Sequence, residues 1–141
     1  MKNISKLVVR MGLLSLLSVM PLAAQIANGV DFTASFPFYA GNAKMPAGSY
    51  KITQSDMDES VLQIQSTDGL HSALVEFIPT QSARPHPHSD VTFDKYGDIE
   101  YLNRIWVEGQ EYGMKVDPTK SETKAAANAN VVEHSLSADL R

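Results

Sequence analysis

Two histidines one residue apart are the sharpest chemical feature of the sequence. In Arg84-Pro85-His86-Pro87-His88, an extended backbone points both imidazoles the same way, so they could share a transition metal, with His71 or His134 completing the shell. Without a thiolate or a fixed carboxylate such a pair makes a weak site, and a Pro-rich segment reads first as an exposed loop. Acidic residues gather as Asp56/Asp58/Glu59 and as Asp94/Asp98/Glu100. Paired carboxylates perform acid–base chemistry when burial drives their pKa values apart. Both groups lie beside predicted turns, and the expectation is therefore solvated acids with ordinary titration. The first group also lacks the glycine and terminal glutamate of a calcium-binding hand. Trp106, with Tyr101 and Tyr112, could form an aromatic surface for a partner or an apolar ligand. Its structural reading packs Trp106 with Leu102 beneath an alanine-rich helix.

Other chemistry is missing from the sequence. There is no cysteine, which excludes a thiol nucleophile, an iron–sulfur site and a disulfide scaffold. No Gly-rich phosphate loop, Gly-x-Ser-x-Gly elbow or His-Glu-x-x-His helix occurs. The reading assigns no catalytic residue and no cofactor.

The elements that would carry these residues are mostly strands. Val30, Phe32, Ala34, Phe36 and Phe38 alternate with polar residues or Pro37, which predicts one strand with an edge or bulge near its end. Ala40 to Ser49 reads as a turn region, followed by a strand at Tyr50–Thr53 and another near Ser60–Ser66. Asp68-Gly69 predicts a hairpin returning over Leu70–Ile78, and Gly97-Asp98 a second one between Val91–Tyr96 and Ile99–Val107. In that last strand Tyr101, Ile105 and Val107 are expected on one face and Leu102 and Trp106 on the other, so both faces need cover. Thr119 and Glu122 stand at capping-box spacing after Pro118, and Lys124-Ala125-Ala126-Ala127 continue a short helix. A final strand follows near Val132–Ala138. The expected fold is all-β, mainly antiparallel, a small barrel or sandwich of about seven strands with one short C-terminal helix.

Location is written at the start of the chain. Lys2, Lys6 and Arg10 precede an apolar run from Met11 to Ala24, the layout of a secretory signal peptide, with cleavage expected after Ala24 or, second, after Ala27. A membrane span needs about 20 apolar residues, whereas Arg10 leaves only 14 before Gln25 and Pro21 breaks the helix, so a permanent span is not expected. The domain reading is therefore 1–24 signal peptide and 25–141 a single β-rich domain, exported to the periplasm or outside the cell. Of 12 basic and 16 acidic residues in 141, three basic ones lie in the first 24, which leaves 9 against 16 and a net charge of −7. An acidic surface argues against nucleic-acid binding.

Several short phrases recur together: Phe36-Pro37-Phe38 then Gly41, Met45-Pro46-Ala47-Gly48-Ser49-Tyr50, Val61-Leu62-Gln63-Ile64, Phe93 then Tyr96-Gly97-Asp98, and Trp106-Val107 then Gly109. Over residues 30–125 the chain resembles a family of small secreted β-proteins of unknown function of acidobacterial type. The resemblance implies export and β-architecture and brings no site. The functional expectation is a non-enzymatic binding or structural module of the cell envelope, its partner unknown and of either protein or small apolar kind. A carboxylate-based hydrolase and a His-loop metal-binding protein are the alternatives.

Overall fold

The computed structural model describes residues 29–140; the segment 1–24 read as a signal peptide lies outside them. Ten strands and one helix follow in order: β1 Val30–Ala34, β2 Phe38–Ala40, β3 Ala43–Met45, β4 Gly48–Gln54, β5 Val61–Ser66, β6 Ser72–Gln81, β7 Ser89–Tyr96, β8 Ile99–Trp106, β9 Tyr112–Val116, α1 Lys120–Asn128 and β10 Val131–Leu140. Eight of the strands close into a barrel in the order β1-β4-β5-β6-β9-β8-β7-β10, with β10 returning to β1 and every barrel pairing antiparallel. The expected count of about seven is thus corrected to eight, and the barrel replaces the open choice between barrel and sandwich. The missed barrel strand is β9, whose pairing with both β6 and β8 closes the ring.

The remaining two strands are a small hairpin. Pro37 cannot donate to a ladder, and the long strand expected over residues 30–38 breaks at Ser35–Pro37 into β1 and β2. The presumed turn region contains β3, antiparallel to β2, and β2 joins β8 in parallel at Tyr39↔Tyr101. At this level β9 has already left the sheet, and the hairpin fills the gap between β8 and β6; an added Cβ on Gly41 would lie 3.2 Å from Val75 Cγ1.

Twenty buried apolar residues, all but Val107 from the hairpin and seven barrel strands, fill the interior, with Leu136 and Ala138 of β10 packed against them. Phe32 stands at the centre of the aromatic group, with ring centroids 5.9 Å from Phe38, 5.6 Å from Tyr50 and 6.0 Å from Phe93. The Tyr50 hydroxyl donates to the Pro46 carbonyl, so its one polar atom is satisfied. Burial of each large side chain here contributes roughly 1.5–3 kcal/mol.

Both predicted hairpins form. Gly69 and Gly97 take φ of +75° and +62°, the left-handed region that glycine enters without a Cβ clash. The strand expected to need cover on both faces is explained by a bulge. Phe93 faces Leu102 and Thr92 faces Arg104, which leaves Asn103 as an extra residue. Parity changes there, so Leu102 and Ile105 both enter the core while Asn103 and Arg104 stand side by side on the outer face.

Candidate functional site: a cleft roofed by the helix

Helix α1 begins at Thr119, whose hydroxyl accepts from the Glu122 backbone N–H at 3.1 Å. It connects β9 to β10 across the outside of the barrel. Its sequence supplies lysine, serine, threonine and alanine but no large apolar side chain, and its one buried residue is Glu122, 8% exposed. Helices normally dock through an apolar stripe. This one docks through a carboxyl.

Between α1 and the barrel lies a half-open cleft of about 230 Å³. Strand β7 supplies Asp94 and Tyr96, β8 supplies Asn103, β9 supplies Lys115 and Val116, and Pro118, Glu122, Thr123 and Ala126 form the roof. Asn103 reaches the cleft because of the bulge. Its Nδ2 donates to Asp94 Oδ1 at 3.0 Å and to Glu133 Oε2 at 3.3 Å, and Arg104 Nη1 meets the same Glu133 oxygen at 3.4 Å. Arg104 is thereby committed to Glu133, and Lys115 is the cation left facing Asp94 and Glu122.

Electrostatics follow from that placement. Burial pushes the Glu122 carboxyl up from 4.5 to about 7; the nearby charge of Asp94 adds to the rise and Lys115 opposes it. Asp94 is also raised, first by burial and then by Glu133, against Arg104, its hydrogen bond from Asn103, and Lys115. Burial also raises the phenols of Tyr96 and Tyr101, with Glu122 among the secondary causes for each. Near neutral pH the cleft therefore holds a carboxyl able either to donate a hydrogen bond or to become a counter-ion.

The residues singled out in the sequence fall in separate places. Tyr101 is 5% exposed, stacked on Tyr39 at 5.4 Å and edge-on to Tyr96 at 5.9 Å. Trp106 sits five residues further along β8, and Tyr112 lies on β9 opposite Gln81. Trp106 is not beneath the helix and does not pack with Leu102, which points into the barrel: the bulge puts the two residues on opposite faces. The indole instead stacks on His86, with ring centroids 4.2 Å apart and planes 12° from parallel.

His86 is less free than an exposed loop residue. Its backbone bridges Glu108, with His86 N–H to the Gln110 carbonyl at 3.1 Å and Gly109 N–H to the His86 carbonyl at 2.8 Å. His86 Nδ1 and His88 Nε2 lie 3.8 and 3.2 Å from the two oxygens of Asp90. His134 pairs with Phe93 midway along β7, 3.6 Å from Glu100 Oε2 and edge-on to Phe36. His71 stands at the turn between β5 and β6. Among the described residues no group of three or more His, Asp or Glu side chains is arranged to hold a metal ion, and no helix is long and apolar enough to cross a membrane.

Sequence reasoning placed Asp94 in a solvated turn and used Glu122 only as a helix cap. The cleft joins residues from four elements, and the signal that could have found it is the helix itself: an alanine-rich segment with no large apolar residue has no apolar stripe to turn to the barrel, and Glu122 is what it buries. Compared with known proteins, the chain matches no family model, no curated protein and no solved structure.

Proposed function

We propose that this is an exported, non-enzymatic binding domain whose ligand enters the cleft between α1 and the outside of the barrel. One observation carries the reading: the only buried residue of α1 is a carboxyl facing that cleft. Stability alone favours an apolar side chain at such a position, because an ionisable group buried without a matching counter-charge is destabilising. Perturbed carboxyls in a cleft concentrate at functional sites. The barrel interior is occupied by its own side chains, which directs a ligand to the outside. Export rests on the basic and apolar opening segment and on the phrases shared with small secreted acidobacterial β-proteins.

A titration of ¹⁵N-labelled protein with a library of small charged and neutral fragments tests the site. Amide shifts centred on Asp94, Asn103, Lys115 and the first turn of α1 are expected; shifts confined to the Trp106 or Phe36 regions contradict the reading. Mass spectrometry of exported protein tests the location, with an N-terminus between Gln25 and Asn28 expected and an intact Met1 in the envelope fraction contradicting it.

A hydrolase is the second reading, favoured by the same pair of raised carboxyls, Asp94 and Glu122. It requires turnover of a glycoside or ester that Glu122→Gln abolishes. Binding without turnover upholds the first reading.

A further inference from the structure

The charges around the α1 cleft are unequal. Asp94, Glu122 and Glu133 supply three carboxyls, and Arg104 and Lys115 supply two cations. Arg104 and Asn103 already serve Glu133, and Asn103 also serves Asp94. Glu122, 8% exposed as a residue and lining the cleft, makes no hydrogen bond or ion pair through its carboxyl to another described side chain. With Arg104 held by Glu133, Lys115 is left to match both Asp94 and Glu122, so the cleft is one positive charge short when both carboxyls are ionised.

We propose that the cleft beneath α1 binds a single alkylammonium group, its nitrogen between Asp94 and Glu122 and its carbon stem along Val116, Pro118 and Ala126. This rests on the reading of the cleft as the ligand site and names the ligand's chemistry. A neutral polyol would leave an ionised Glu122 unmatched, whereas an ammonium cation supplies both donors and charge. The volume of about 230 Å³ suits a head group with a short stem rather than a large ligand. Tyr96 lines the wall, and its ring adds an aromatic partner for a cation. Three carbon-rich side chains complete the pocket, where an alkyl stem is favoured over water.

The proton balance follows directly. When Glu122 is protonated, entry of the ammonium expels its proton to solvent and leaves a carboxylate–ammonium pair. The groups acting on Glu122 from the barrel are Asp94 and Tyr96 on β7, Tyr101 on β8 and Lys115 on β9, while Arg104 on β8 and Glu133 on β10 act on Asp94. Of these, Asp94 and Glu133 strengthen cation binding and Arg104 and Lys115 weaken it. A site controlled by a group titrating near 7 binds about tenfold more tightly at pH 8 than at pH 6.

Calorimetry of the whole exported domain with n-butylammonium chloride tests this, run at pH 6, 7 and 8 in two buffers of different ionisation heat, with n-butanol, glucose and Ca²⁺ as competitors. One-to-one amine binding that tightens about tenfold across that range, releases close to one proton at pH 6, and is lost in Glu122→Gln is expected. Glutamine reproduces the neutral carboxyl that the fold already holds, and a native circular-dichroism spectrum confirms that the variant folds. A short lysine-containing peptide with blocked ends separates the two sources of the group: binding equal to the amine's assigns a protein lysine, and exclusion of the peptide assigns a free amine. Equal binding of butanol, glucose or Ca²⁺, affinity independent of pH, or unchanged binding by Glu122→Gln overturns the proposal. If butanol or glucose perturbs the cleft while the amine does not, the ammonium assignment fails and the binding reading stands. If no probe perturbs it, both fail.

Discussion

A single side chain separates this helix from an ordinary amphipathic one. Glu122 has its titration raised from 4.5 to about 7, mainly by burial, so the folded protein favours its neutral form. Its favourable contribution is fully present below about pH 4.5 and is lost as pH rises through about 7; Asp94, raised as well, has the same sign. The lowered carboxyls of Asp58 and Asp68 act at more acidic pH and the raised tyrosines at alkaline pH, so Glu122 dominates the neutral window. Denaturant unfolding of the ligand-free protein should therefore show stability falling between pH 5 and 8, by at most about 3 kcal/mol for a shift of this size and by less where water screens the half-open cleft. In Glu122→Gln that decline should largely vanish, and an identical decline in the variant would assign it to another group. Asp94 was invisible to sequence reading for a physical reason. Beside Gly97-Asp98 it looks like a turn acid, and only a helix 26 to 34 residues later in the chain covers it.

At the scale of elements, legibility followed the range of the interaction. The hairpins at Asp68-Gly69 and Gly97-Asp98 and the helix start at Thr119 depend on neighbours within a few residues, and each is readable. Strand β9 was not, because only Met114 and Val116 of its five residues are buried apolar side chains and Gly113 breaks its strand propensity. That glycine has a long-range purpose. It lies opposite Trp106 across the β8–β9 ladder, and a Cβ there would come within 2.5 Å of Trp106 Cε3 and 2.8 Å of the Ile105 carbonyl oxygen. Gly113→Ala should cost about 1–3 kcal/mol by overpacking, read from the denaturation midpoint, and should shift the emission of the sole tryptophan. A variant as stable as the parent with unchanged emission would show that the indole does not lie against β9. The bulge at Asn103 was equally hidden. A strict period of two assigns Leu102 and Ile105 to opposite faces, whereas the extra residue brings both inside and gives the cleft its amide.

For the whole molecule, closure of the barrel through β9 separates two tasks. The interior provides stability through packed side chains, and the outer face, freed from that task, carries the charged groups beneath α1. The sequence revealed the first because core positions impose an alternation that survives in one dimension. It concealed the second because Asp94, Asn103, Lys115 and Glu122 come together only when β7, β8, β9 and α1 are assembled. The most direct test is a ¹³C NMR titration of the Glu122 side-chain carboxyl in the folded, ligand-free protein. A midpoint near 7, well above the usual carboxylate range, is the result the account predicts. A midpoint within that usual range would contradict it, showing that α1 does not seal this group against the barrel.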